Sequence, residues 1–226
     1  MVDHTVGLDQ PSLGDRLSRP ETALKDRVLD FWFGSAHSGG FPSPEVRGRW
    51  FTATPEFDEM VRACFGADVR AAVSGQRDRL RTSAQGQLAL VLLLDQFTRN
   101  IFRGTPAAFS GDVRAAQCSL ELVSTTIHLV LTPIERFFVY MPFEHAEDSS
   151  LQALGLRLFE GLARGAHGDE RAFFLAGLRH AREHKSIIDM FGRFPSRNDV
   201  LGRKSTREEL TFNAANTCGQ RPAPGR

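Results

Sequence analysis

A chain of 226 residues with 41% hydrophobic and 24% charged side chains fits one domain with a sizeable core, or at most two small ones. Its 28 basic and 27 acidic side chains leave a net charge of +1, which argues against the clustered basic surface that nucleic-acid binding needs. Cys64, Cys118 and Cys218 are odd in number and widely spaced, so neither a disulfide framework nor a zinc pattern fits, and a reducing compartment is the simpler reading. No basic region followed by an apolar run opens the chain. The longest strongly apolar run, Leu88 to Leu94, is far shorter than the ~20 residues of a membrane span. The expectation is a cytoplasmic protein that does not engage a membrane.

Residues 1–19 are polar and aperiodic and read as a disordered tail. Pro20 suits a first helical position. Leu24, Val28, Phe31 and Trp32 form one apolar stripe, which Gly34 stops. A Gly/Ser/Pro loop over Ser35 to Pro44 leads to Trp50 and Phe51 at the end of a short helix. Thr54-Pro55 opens a helix with the stripe Phe57, Val61, Cys64, Phe65 and Val69, ended near Gly75. Ser83 caps the next helix. Its segment Leu88 to Leu94 is apolar nearly all round and should be central and buried.

Thr105-Pro106 opens a helical stretch reaching about Leu122, and Thr132-Pro133 opens another, which Pro142 interrupts. Glu144 to Leu162 then reads as helical. Asp169 to Phe191 forms a long helix closed by Gly192. Ser205 and Glu208 form a capping box for a last short helix, and 216–226 is a frayed tail. No useful strand pattern and no fixed repeat period is visible. The predicted fold is all-α, with about eight to ten helices in antiparallel hairpins over a single domain, 20–215.

Three segments put polar residues where a helical bundle should be apolar. In Leu94 to Pro106, Asp95, Arg99 and Arg103 are spaced by four and share a face if the helix persists, with Gln96 and Asn100 alongside. In Glu135 to Asp148, the titratable groups Glu144, His145, Glu147 and Asp148 lie within five residues. Crowded carboxylates raise one another's pKa, and a neighbouring histidine can exchange protons near neutral pH. In Phe191 to Arg203, Arg193, Arg197 and Arg203, with Asn198, lie in a Gly/Pro-punctuated loop. Arginine's planar fork suits a carboxylate or phosphate.

Each segment also has a purely architectural reading: a polar network closing a buried helix end, acids favoured by a helix N-terminus, and arginines paired with those acids. His180-Ala181-Arg182-Glu183-His184 matches a zinc-peptidase pattern, but a five-residue match is cheap and no third ligand is evident. No Gly-rich phosphate loop, no G-x-S-x-G and no paired C-x-x-C is present, so neither a metal nor an organic cofactor is expected.

The same segments carry a resemblance. Leu93-Leu94-Asp95-Gln96-Phe97-x-Arg99-Asn100-Ile101-Phe102-Arg103-Gly104-Thr105-Pro106, Tyr140-Met141-Pro142-Phe143-x-His145-x-Glu147-Asp148 and Phe191-Gly192-Arg193-Phe194-Pro195-x-Arg197-Asn198-x-x-Leu201-Gly202-Arg203 resemble the bacterial "domain of unknown function 924" family. Val28 to Gly34 and Trp50-Phe51 are similar to it as well, so the likeness runs from about Val28 to Phe212. It implies a helical fold similar to tetratricopeptide-repeat proteins and supplies no activity. The family usually has Ser, His and Pro where this chain has Ala146, Ser196 and Thr98; His184 matches a family position and His180 does not.

Two functions fit this pattern. One is a small-molecule site in which arginines (Arg99, Arg103, Arg193, Arg197, Arg203), with Asn100 and Asn198, hold an anionic substrate. There His145, with Glu144, Glu147, Asp148 and Asp95, would move protons in a hydrolysis, an elimination or an intramolecular ring closure. The other is a scaffold that binds a peptide or a protein partner, or a subunit that works only with a partner chain. The first requires the three segments to meet around one water-accessible hollow; under the second the same residues are structural clamps or grip a partner's carboxylate.

Overall fold

The computed structural model describes residues 24–34, 40–52 and 54–219, with side chains to 215. The expected tail at 1–19, the proposed helix start at Pro20, residues 220–226 of the expected tail 216–226, and the side chain of Cys218 lie outside the described residues, whereas 216–219 belong to the last helix and not to a tail.

Helix starts follow local chemistry. Ser43, Thr54, Ser83 and Thr132 each accept a backbone N–H through the side chain, and Pro44, Pro55 and Pro133 follow three of them in the first turn. The helices are α1 (Leu24–Phe33), α2 (Pro44–Phe51), α3 (Pro55–Val73), α4 (Ala84–Val91), α5 (Phe97–Ile101), α6 (Asp112–Ser124), α7 (Pro133–His145), α8 (Ser149–Gly165), α9 (Gly168–Phe191) and α10 (Arg207–Gly219). A π-turn, Leu92–Gln96, joins α4 to α5. Counted as one rod, that unit makes nine α-helical rods among the described residues, with no strand. No helix among them is long and apolar enough to cross a membrane.

The α4 rod is the axle. Leu88 through Leu94 are at most 1% exposed, and α1, α6 and α7 pack against the rod. Phe31, Trp32, Trp50, Phe65, Phe97 and Phe138 meet edge-on or tilted around it, and Trp50 Nε1 donates to Trp32 O at 2.9 Å. Helices α7, α8 and α9 follow one another through short turns and pack side by side on one flank. Gly177 of α9 lets that helix lie against Phe137, since a Cβ there would meet the ring at 2.4 Å.

Three local expectations are corrected. Pro142 does not interrupt its helix: α7 runs through it to His145. The bond lost at a proline is offset because Phe137, Phe138, Met141 and Phe143 are all buried around the same rod. Glu144 and His145 therefore end α7 rather than begin the next helix. The stretch from Thr105 divides into a 3₁₀ turn, Pro106–Phe109, and α6. The last cap sits one residue later than expected. Thr206 N–H donates to Glu209 Oε2 at 2.7 Å, and Glu209 N–H donates to Thr206 Oγ1 at 3.2 Å.

The break before α6 has a steric cause. Gly111 sits against the π-turn so closely that a Cβ would lie 2.1 Å from Leu94 O, a backbone atom that cannot move alone. Gly111→Ala should therefore destabilise the fold by about 1–3 kcal/mol, the usual range for overpacking. Urea unfolding checks this, and an unchanged midpoint would contradict the contact.

Candidate functional site

The π-turn governs where the polar residues point. Phe97 N–H bonds back five residues to Leu92 O, and the Thr98 hydroxyl donates to Leu94 O (2.8 Å) and Asp95 O (3.2 Å). A π-turn widens the helix and re-aims the residues within it. Asp95 ends fully buried, and Arg99 reaches its Oδ1 at 3.1 Å.

Asp95 is the hub. His145, at the C-terminal end of α7, places Nδ1 2.7 Å from Asp95 Oδ1, and Gln96 Nε2 donates to Asp95 Oδ2. Arg99 also forks onto Asp112 of α6, at 2.9 and 3.1 Å. Arg197, from the 3₁₀ turn Pro195–Arg197, donates to Asp112 Oδ2 (3.1 Å) and to His145 O (3.0 Å). Its guanidinium lies between the rings of Phe109 and Phe194. Two arginines thus meet two carboxylates, and the cluster balances its charge internally.

Burial works to raise the Asp95 carboxyl, but Arg99 and His145 outweigh it and hold the group well below the carboxylate range. An ionised Asp95 accepts the His145 Nδ1 proton, which assigns the tautomer and leaves Nε2 as the ring's basic atom. Burial pushes the His145 pKa down, against the pull of Asp95. Glu144 is adjacent, with Oε1 3.9 Å from His145 Nε2. Burial first, and the Asp95 charge second, push the Glu144 carboxyl up to about 8. Among the described residues its Oε2 is buried without a hydrogen-bond partner, as is His184 Nδ1, 4.0 Å away on α9. Burial, with the neighbouring charges of His145 and Arg197, takes the His184 pKa down to about 3.

These three side chains border a hollow of about 570 Å³, otherwise lined mainly by Phe51, Phe137, Met141 and Phe173. A second hollow, of about 600 Å³, lies beyond the ion cluster. Phe109, Val113, Leu120, Leu151 and Leu201 line it, and Asp112, Glu147, Asp148 and Arg197 border it.

Of the twelve residues singled out in the sequence, five converge: Asp95, Arg99, Glu144, His145 and Arg197. The others are held elsewhere. Asn100 and Arg103 both turn to Asp58 of α3, at 2.8 Å and at 2.7 and 2.9 Å, because α5 ends at Ile101 and the face shared with Asp95 ends with it. Glu147 accepts from Phe194 N–H (2.8 Å) and Arg203 (2.6 and 3.0 Å), which fastens the loop from Gly192 to Arg203 to the α7–α8 turn. Asp148 caps α8 through Leu151 N–H. Arg193 forks onto Glu209, and Asn198 bridges Glu209, Ser205 and Arg203. Glu144, Glu147 and Asp148 therefore do not crowd one face.

The expectation that several arginines present free donors to an anion is corrected as well. Arg99, Arg103, Arg193 and Arg203 are directed at carboxylates of the chain, and among the described residues no arginine lines the aromatic hollow and Arg197 alone borders the second one. Asp112 was missed. Its only signal was an acid in a first helical turn, which the helix dipole already explains.

Among the described residues no group of three or more His, Cys, Asp or Glu side chains is placed to hold a metal ion. His180 of the zinc-like pattern is 68% exposed at its side chain and faces Glu183. The family described as "Bacterial protein of unknown function (DUF924)" matches residues 28–216. The chain belongs to this family. It is also similar to the solved structure of a protein of unknown function from Agrobacterium tumefaciens. The two are 34% identical with a TM-score of 0.69, and the match covers 84% of this chain and 96% of that one. No curated protein matches the chain. Membership of DUF924 supplies a fold and no chemistry, so the functional reading rests on the site itself.

Proposed function

We propose that this DUF924 protein carries a small-molecule site for acid/base chemistry in the aromatic hollow, worked by His145 and Glu144 with Asp95 as the positioning residue. The observation that carries the reading is the buried, unpartnered Glu144 Oε2 beside a histidine whose tautomer Asp95 holds. At neutral pH His145 is a neutral base and Glu144 a protonated acid, so the pair can take a proton at one substrate atom and return one at a neighbouring atom. Hydrolysis, elimination and intramolecular ring closure can each use this pairing. The volume and apolar lining suit a small organic molecule.

Incubating the full chain with metabolite extracts and following them by mass spectrometry tests the reading. At least one compound should be consumed by the wild type, at a rate roughly 10²–10⁴-fold lower with His145→Gln. Consumption that His145→Gln leaves unchanged, or no consumption by the wild type, removes it. The scaffold reading draws on the second hollow, whose apolar wall suits a peptide side chain. A peptide that binds there with His145→Gln and wild type alike would favour it.

A further inference from the structure

We propose that the aromatic hollow takes an organic amine as its ammonium ion, with the nitrogen at Glu144 Oε2 and the apolar body among Phe51, Phe137 and Phe173. The inference rests on the reading that this hollow is the functional site, and adds the class of its occupant.

Three observations converge on a cation. First, Glu144 Oε2 is an acceptor at the wall of a hollow, with a side chain only 7% exposed and no donor among the described residues. Neither histidine nearby supplies a charge. His184 Nδ1 stands 4.0 Å away and is itself unpartnered, and both rings are held toward the neutral form. A ligand N–H would complete what the protein leaves open.

Second, a charge on Glu144 itself is short of a partner. Asp95 lies behind Glu144 and repels its ionised form, more strongly than Arg99 attracts it. The groups facing Glu144 are Asp95 from the π-turn, Arg99 from α5, His145 from α7 and His184 from α9, with His180 at the margin of the hollow. Arg99 is already engaged by Asp95 and Asp112. An anion at Glu144 Oε2 would meet an acceptor that cannot pair with it, whereas an ammonium supplies the donors and the charge that an ionised Glu144 lacks. Third, three phenylalanine rings line the wall: the rings of Phe137 and Phe173 are 4.9 Å apart and those of Phe51 and Phe173 6.0 Å apart. Ring faces attract cations and bury hydrocarbon equally well.

The binding step balances simply. Protonated Glu144 and the ammonium ion form a carboxylate–ammonium pair, and the carboxyl proton leaves to solvent, so in this complex the ammonium N–H, and not the Glu144 carboxyl, is the proton held beside His145. With the Glu144 carboxyl at about 8, amine affinity should rise roughly tenfold between about pH 7 and about pH 9. At about pH 7, binding should release roughly 0.9 proton per amine, because that fraction of Glu144 is protonated beforehand.

Titration calorimetry on the full chain tests this with three probes of one shape: phenethylamine, neutral 2-phenylethanol and anionic 3-phenylpropionate. Repeating it in buffers of different ionisation enthalpy counts the protons. The expected result is that phenethylamine binds best, with the pH dependence and proton release above. Glu144→Gln should remain folded, lose the proton release, and weaken amine binding roughly tenfold or more at about pH 9. Amine binding that is indifferent to pH or to Glu144→Gln, or no tighter than that of the alcohol, overturns the proposal. If phenylpropionate binds and the amine does not, the ligand class is wrong while the site reading stands. If none of the three binds, both fall.

Discussion

Asp112→Ala should lower stability by about 3–5 kcal/mol, the usual effect of taking one partner from a buried ion cluster. Asp112 accepts both nitrogens of the Arg99 fork and a third bond from Arg197, and both arginine side chains are largely shielded. Without it, Arg99 keeps Asp95, but Arg197 loses the carboxylate it is paired with. Two guanidinium groups then share one buried acid, and their mutual repulsion is no longer screened by a charge between them. For a chain of this length the loss corresponds to a fall in Tm on the order of 10 °C.

A double-mutant cycle sharpens the expectation. Arg197→Met in the Asp112→Ala background should recover part of the loss, because the stranded charge is removed with its partner. An Asp112→Ala protein within about 1 kcal/mol of the wild type, measured by urea unfolding, would mean that the arginines are solvated and the cluster is not closed.

Glu144→Gln should have the opposite sign, and its effect should depend on pH. The Glu144 carboxyl titrates near 8 in the fold against 4.5 ordinarily. The unfolded chain therefore releases this proton at a lower pH than the native one does. The native state binds more protons across that window, so stability falls as pH rises from about 4.5 to about 8 and then levels. The full penalty is roughly 4–5 kcal/mol at ~1.4 kcal/mol per pH unit. Glutamine has the same shape and no proton to lose. The variant should match the wild type near pH 5 and exceed it progressively up to about pH 9.

His184 and His145 act on the acid side. Their lowered pKa values make the folded protein resist protonation, so stability falls as pH drops below the ordinary histidine value of 6.5, in both proteins alike. Parallel pH–stability curves for wild type and variant, by thermal melting, would show that Glu144 is ionised and solvated. That result would leave the proposed acid without its proton.

The helical architecture was legible because it is written in short-range chemistry. Ser43-Pro44, Thr54-Pro55 and Thr132-Pro133 announce helix starts by satisfying or lacking the N–H groups that no helix can pair, and Gly192 adopts the positive φ (+69°) that ends one. The all-apolar run Leu88 to Leu94 announced its own burial. Where one-dimensional reasoning failed locally, a tertiary contact overrode a local preference. Packing on all sides carried α7 through Pro142, and the approach of Gly111 to Leu94 O broke the stretch after Thr105.

The site was legible as composition and not as geometry. His145, Glu144, Asp95, Arg99 and Arg197 stood out as polar residues beside an apolar rod. Arg103, Arg193 and Arg203 stood out equally, yet each closes on a carboxylate that belongs to the framework. Charged side chains look alike in a sequence whether they end on a distant partner or on nothing, since partners such as Asp58 and Glu147 lie 45 and 56 residues away along the chain. What the amino-acid order determined alone was the set of rods, their caps and the apolar stripe each must bury. Only the packed structure decided which of the many acids stays unpartnered. That choice depends on which donors reach Glu144 when α7 and α9 close over it, and among the described residues none reaches its Oε2.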